Sequence, residues 1–112
     1  MDSLRTVCAV QDIAEGQSKG FQINNSKVFA IKHNNKIFVY HNQCPHLGLA
    51  LEWQLDRFLN HDNSLIQCAS HGALFEIQSG LCIYGPCQGQ YLQAVACVQE
   101  QHQVLIDTRD LP

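Results

Sequence analysis

Charge is what this sequence has least of. Only 15% of its 112 residues are Asp, Glu, Lys or Arg, against roughly 25% in ordinary globular chains. Neutral Asn and Gln, scattered through every segment instead of gathered in a tract, take their place. The seven basic residues form no cluster and the net charge is -3, the opposite of what a protein needs to bind by neutralising phosphates. Nucleic acid is therefore not an expected partner. Long hydrophobic runs are missing as well: nothing approaches the roughly 18 apolar residues of a membrane span. The opening "MDSLRTVCAVQDIAEG" places Asp2 and Arg5 where a signal peptide would need an apolar stretch. These absences predict a cytoplasmic protein with no membrane partner. Dense cysteine is also lacking. Six cysteines in this length fall short of a small secreted disulfide scaffold, and where thiols stay reduced such a surplus reads as metal chemistry.

What is present is mostly β-type sequence in a chain of single-domain size. Val28 to Ile31 and Ile37 to Tyr40 are rich in β-branched and aromatic residues. The "HNNK" between them offers Asn34 and Asn35 for left-handed turn geometry, which predicts a hairpin. Strands are also expected at Thr6 to Val10, Leu65 to Cys68, Ala73 to Ile77, Ala94 to Gln99 and Val104 to Asp107. Ala50 to Leu59 has helix-like spacing but is short enough for an irregular loop with one helical turn. Both chain ends carry the regular strands, whereas the middle holds four of the six cysteines, three of the six histidines and all prolines but the last. This predicts one domain: a β base from residues 1–41 and 90–112, and an inserted loop-rich subdomain, 42–89, that carries the chemistry.

That chemistry is concentrated in two short motifs. "NQCPHLG" sets Cys44 two residues before His46, and "QCASHGALF" sets Cys68 three before His71. Two thiolates and two imidazoles suit zinc or iron-sulfur chemistry. A zinc finger usually pairs two cysteines on one knuckle and two histidines on another, while here each loop supplies one of each. Mixed pairs suit two sulfide-bridged irons, with both cysteines on one iron and both histidines on the other. A glycine follows each pair within two residues (Gly48, Gly72), and "GPC" begins 14 residues after His71.

"CPHLG", "CASHGALF" and "SGLCIYGPC" resemble the cluster-binding loops of the Rieske family, in particular its stand-alone ferredoxins, those of bacterial ring-hydroxylating dioxygenase systems among them. The resemblance implies an all-β fold: an antiparallel, sandwich-like base with the cluster-binding subdomain inserted. It implies that Cys44 and Cys68 hold the buried iron of a Rieske-type 2Fe-2S cluster, and that His46 and His71 hold the outer one. Gly48 and Gly72 would shape the ligand loops, and Gly85 and Pro86 would match the proline loop that covers the cluster. The 21 residues between His46 and Cys68 exceed the usual spacing, with "LDRFLNHDN" as the source of the excess. High-potential family members add a disulfide brace and hydroxyl donors to the cluster sulfurs. Leu49 and Ser70 stand where the brace would be, and Ala73 and Phe75 where the hydroxyls would be, which implies a low reduction potential.

By the same resemblance the chain is a soluble one-electron carrier and not itself an enzyme. Its partners would be a flavin-dependent ferredoxin reductase and a terminal oxygenase or similar redox acceptor, met in small, transient encounters. The alternatives are a cluster-free small subunit of a nitrite reductase, a zinc-binding interaction module, and a redox sensor built on the same cluster. Elsewhere, Cys8 and Cys97 read as core thiols. Cys82 and Cys87 read as packing against the cluster loops in preference to pairing or serving as spare ligands. His33, His41, His61 and His102 read as solvated surface residues, and Trp53 and Phe58 as anchors of the long connection.

Overall fold

The computed structural model describes residues 4–23, 26–43, 57–60, 62–68 and 72–110. Nine strands lie among them: β1 (Leu4–Ala9), β2 (Ser18–Ile23), β3 (Ser26–His33), β4 (Lys36–His41), β5 (Leu65–Gln67), β6 (Leu74–Glu76), β7 (Cys82–Tyr84), β8 (Cys97–Glu100) and β9 (Gln103–Asp107). Two single-turn 3-10 helices, Val10–Asp12 and Thr108–Asp110, complete the regular structure. The strands form three antiparallel sheets in the orders β1-β9-β8, β2-β3-β4 and β5-β6-β7. The fold is all-β, as expected.

The middle sheet organises the rest, and its logic is the two-residue period of a strand. Val28, Phe29, Ala30 and Ile31 of β3 are all buried, but alternate residues serve opposite faces. Val28 and Ala30, with Ile37 and Val39 of β4, join Val104 and Ile106 of the terminal sheet in one core. Phe29 and Ile31, with Tyr40, join Phe58, Ile66, Cys68, Ala73 and Phe75 in the other. One strand pair thus carries the terminal sheet on one side and the central segment on the other. Phe29 stacks on Phe58 with centroids 4.4 Å apart and rings within 5° of parallel. Complete burial of such a side chain contributes about 1.5–3 kcal/mol.

Turn chemistry sets the registers. His33 pairs with Lys36 across Asn34 and Asn35, whose φ values of 54° and 64° are those of the two-residue turn that matches strand twist. The Glu15 carboxylate accepts both turn N–H groups, at 2.8 and 2.9 Å. These bonds hold its pKa below the ordinary carboxylate value. Gln101 and His102, also left-handed, make the same turn between β8 and β9.

Several sequence expectations are corrected. β2 and β7 are strands that the sequence reading does not contain. "SKGFQI" has little apolar alternation of its own, and it becomes a strand by pairing along β3 from Ser18 to Ile23. β7 is three residues long and pairs with β6 across an irregular register. The continuous strand expected at Ala94 to Gln99 is divided. Ala94 bridges Tyr40, and Val95 donates to the Val39 carbonyl, whereas Cys97 onward pairs with β9. A segment that changes sheets cannot keep one ladder. His41 is buried, not solvated: β4 runs through it opposite Val28, and its N–H bonds to the Gln93 carbonyl. The helical turn expected over Ala50 to Leu59 lies largely outside the described residues, as do Trp53 and His61.

Candidate metal centre

Of the four expected ligands, Cys68 lies among the described residues; Cys44, His46 and His71 lie outside them, with Gly48. Cys68 follows β5 directly and has no exposed surface. Its N–H donates to the Ala73 carbonyl and its carbonyl accepts from the Gly72 N–H, both at 2.9 Å. Cys68 is therefore tied to Gly72 and Ala73, and its side chain belongs to the core around Phe75. Gly72 closes that turn at φ +67°, in the region where a side chain costs strain.

The connection leading into Cys68 is built from the excess residues noted in the sequence. Phe58 and Leu59 turn back into the core, Leu59 bridges Ile66, and the Phe58 carbonyl accepts from the Gln67 N–H. The Asn60 side chain receives the N–H groups of Ser64 and Leu65, closing the turn. The described part of the longer connection, residues 57–60 and 62–64, is thus paired structure braced on β5. On the other side, the chain leaves β4 toward Cys44 with the Asn42 N–H anchored on the Lys27 carbonyl.

Gly85 comes down on the second motif from above. A Cβ placed on it would lie 2.8 Å from the Ala73 Cα and 3.0 Å from its Cβ, so the Gly85–Pro86 turn touches the backbone next to Gly72. Gly85 itself sits at φ +109°. Cys82 and Cys87, on either side of this turn, are buried in the same core as Cys68 and Ala73. The packing expected of them is present, and so is the closeness that the less favoured reading, pairing, would need: their sulfurs are 3.1 Å apart. Cys8 and Cys97 are half-buried instead of fully core, each packed against the other cluster. Burial raises both thiol pKa values, with the Asp12 carboxylate adding to the effect at Cys8.

Among the described residues no three His, Cys, Asp or Glu side chains come together as a metal site. At the expected ligand positions they supply one sulfur withdrawn from water, that of Cys68, with a glycine-proline turn resting on Ala73 beside it. A covered thiolate seat fits a buried iron of a sulfide-bridged pair.

The model of the Rieske [2Fe-2S] domain matches residues 3–104. The chain belongs to the Rieske family. Its cofactor is accordingly the Rieske-type 2Fe-2S cluster. Among curated relatives, this Rieske protein is 32% identical to the ferredoxin component of the alkene monooxygenase system of Xanthobacter autotrophicus, over 95% of this chain and 82% of that one. It is 31% identical to the cytochrome b6-f complex iron-sulfur subunit of Chlorobaculum tepidum, over 67% of this chain, and spans 38% of that subunit. In structure it resembles the ferredoxin of carbazole 1,9a-dioxygenase from Nocardioides aromaticivorans, with a TM-score of 0.77 and 20% identity, covering 94% of this chain and 97% of that one. Among the described residues no helix is long and apolar enough to cross a membrane.

Proposed function

We propose that this Rieske protein is the ferredoxin of an oxygenase system, a cytoplasmic one-electron carrier that passes electrons from a flavin-dependent reductase to a terminal oxygenase or similar acceptor. In this reading Cys44 and Cys68 hold the inner iron and His46 and His71 the outer one, within a subdomain spanning 42–89. The observation that carries it is the enclosure of Cys68, fully buried beneath a turn that meets the backbone at Ala73. A thiolate seat closed in this way serves storage of an electron and leaves substrate no approach from that side. The match to a ferredoxin component over 95% of the chain supports the choice of role.

When bound, the cluster supplies a reversible one-electron change and no open coordination position. The protein's own part is to hold and shield. The two backbone bonds at Cys68 fix the sulfur, and Phe75 and Ile66, both with no exposed surface, keep water from it. Low internal polarity and a fixed donor geometry keep the structural rearrangement on electron transfer small. Ile83 and Tyr84, exposed beside the Gly85–Pro86 turn, give a partner an apolar rim on which to dock briefly.

Electron paramagnetic resonance on the dithionite-reduced protein tests this reading. Mixed ligation gives a lower average g value than four-cysteine ligation does, and replacing His46 or His71 by Cys should move or abolish the signal. A colourless protein carrying zinc, or a four-cysteine spectrum, would overturn the assignment. Reduction by a flavin reductase and reoxidation by an oxygenase then test the role separately from the ligands.

A further inference from the structure

Cys82 begins β7 and Cys87 follows the Gly85–Pro86 turn, so the sequence between them reads "IYGP". Cys87 donates its S–H to the Cys82 sulfur at 3.1 Å, and the Cys82 thiol donates in turn to the Tyr84 carbonyl at 3.2 Å. Two sulfurs in this contact are closer than ordinary packing places them, and a disulfide of about 2.05 Å asks each to move only about half an ångström. The backbone already holds the two residues together. Gly89 N–H bonds to the Cys82 carbonyl, Cys82 N–H to the Gln90 carbonyl, and Gln90 N–H to the Cys87 carbonyl, at 3.0, 2.8 and 2.9 Å.

Their cover is thin. Both sulfurs are buried, yet Ile83, Tyr84, Pro86, Gln88, Gly89 and Gln90 around them are exposed, so a local opening of one short turn admits a small reagent. Cys8 and Cys97 offer a contrast within the same chain. They stand opposite Val104 and Ile106 across the terminal sheet, where the Cys97 sulfur is turned to the Ile37 carbonyl at 3.4 Å.

We infer that Cys82 and Cys87 form a redox modification site, a dithiol that a low-molecular-weight disulfide converts into a bridge across the base of the Gly85–Pro86 turn. One thiolate attacks a sulfur of the reagent, forming a mixed disulfide and releasing one reagent thiol. The second protein thiolate attacks the first cysteine's own sulfur in that mixed disulfide, which breaks the bond to the reagent, closes the bridge and releases the other reagent thiol. The two cysteines lose two protons and two electrons between them, and the reagent disulfide gains them as two thiols. Because Gly85 rests on Ala73, the bridge pins the turn against the second ligand motif and withdraws its freedom to open.

The test uses the full iron-loaded chain, incubated with glutathione disulfide or with dithiothreitol, then denatured, alkylated with N-ethylmaleimide, digested with pepsin and weighed. After glutathione disulfide, the fragments holding Cys82 and Cys87 should be linked, lighter by two hydrogens and unlabelled, whereas after dithiothreitol both sulfurs take label. Cys8 and Cys97 should take label in both cases. Hydrogen exchange at the amides of Gln88, Gly89 and Gln90 should slow several-fold in the bridged form. In Cys87→Ser the reaction should stop at a glutathione adduct on Cys82. Full labelling after oxidation, a stable adduct in the unmutated chain, a bridge from either cysteine to another partner, or unchanged exchange in the bridged form would each overturn the proposal. These readouts are masses and exchange rates and do not depend on the iron ligands. The visible spectrum of the same sample reports on the cluster reading separately.

Discussion

At Gly85 one methyl group separates a closed turn from a strained one. The residue has φ +109°, and its added Cβ would meet the Ala73 Cα, a backbone atom, at 2.8 Å. Gly85→Ala should therefore destabilise the fold by about 1–3 kcal/mol and speed loss of the visible absorption, measured by denaturant midpoint and by bleaching at constant temperature. Equal stability and equal bleaching would show that the turn does not need to lie so close. Ala73 and Phe75 act at the same scale in the opposite sense. Both are fully buried and neither carries a hydroxyl, so neither offers the sulfur of a reduced cluster a donor. The unmodified protein should have a potential in the lower part of the roughly −150 to +300 mV Rieske span. Ala73→Ser and Phe75→Tyr should each raise it in protein-film voltammetry. A starting value well above zero, or no rise in either variant, would contradict the argument.

Between elements, Tyr40 makes a buried polar tie. From β4 its hydroxyl donates to the Ile77 carbonyl at 2.6 Å, joining the middle sheet to the turn after β6. Tyr40→Phe leaves that buried acceptor without its donor, and should cost about 1–3 kcal/mol in chemical unfolding. Burial also pushes the Tyr40 phenol up to about 12 from an ordinary value near 10. Its folded pKa lies above the unfolded one, so between these values the unfolded chain binds fewer protons and stability falls as pH rises. Below about pH 10 the contribution is complete. Unfolding midpoints taken across this alkaline window should drop in the unmodified protein and drop less in Tyr40→Phe. Parallel curves would place the titration elsewhere.

For the whole molecule, the two cores predict two levels of resistance. The terminal-sheet core contains Val28, Ala30, Val104 and Ile106, while Cys68, Ala73, Phe75 and Cys82 belong to the other core together with Phe29 and Phe58. Removing iron with acid and a chelator takes support from the second and leaves the first with its strand pairing. Hydrogen exchange on the iron-free protein should keep protection in β1, β8 and β9 and lose it in β5, β6 and β7. A uniform loss across all nine strands would show that the cores fold as one unit. The division would also explain how the chain can build a sensitive centre on a base that does not depend on it.

Residue type and spacing were enough to point to the Rieske family and its cluster, because metal chemistry restricts which side chains can serve and two mixed motifs seldom arise together. The Asn34–Asn35 hairpin was legible for a similar reason: left-handed turns admit few residues. The β2 and β7 strands were not, since their pairing is supplied by β3 and β6 and leaves little trace in their own residues. His41 looked solvated beside a polar stretch until β4 carried it into the interior. The meeting of Gly85 with Ala73, and of the Cys82 and Cys87 sulfurs, joins residues whose separation along the chain says nothing about contact. Local chemistry constrains local residues and is written in their order. Enclosure, sulfur contact and the face each strand presents depend on how three sheets close on one another, which only the tertiary structure decides.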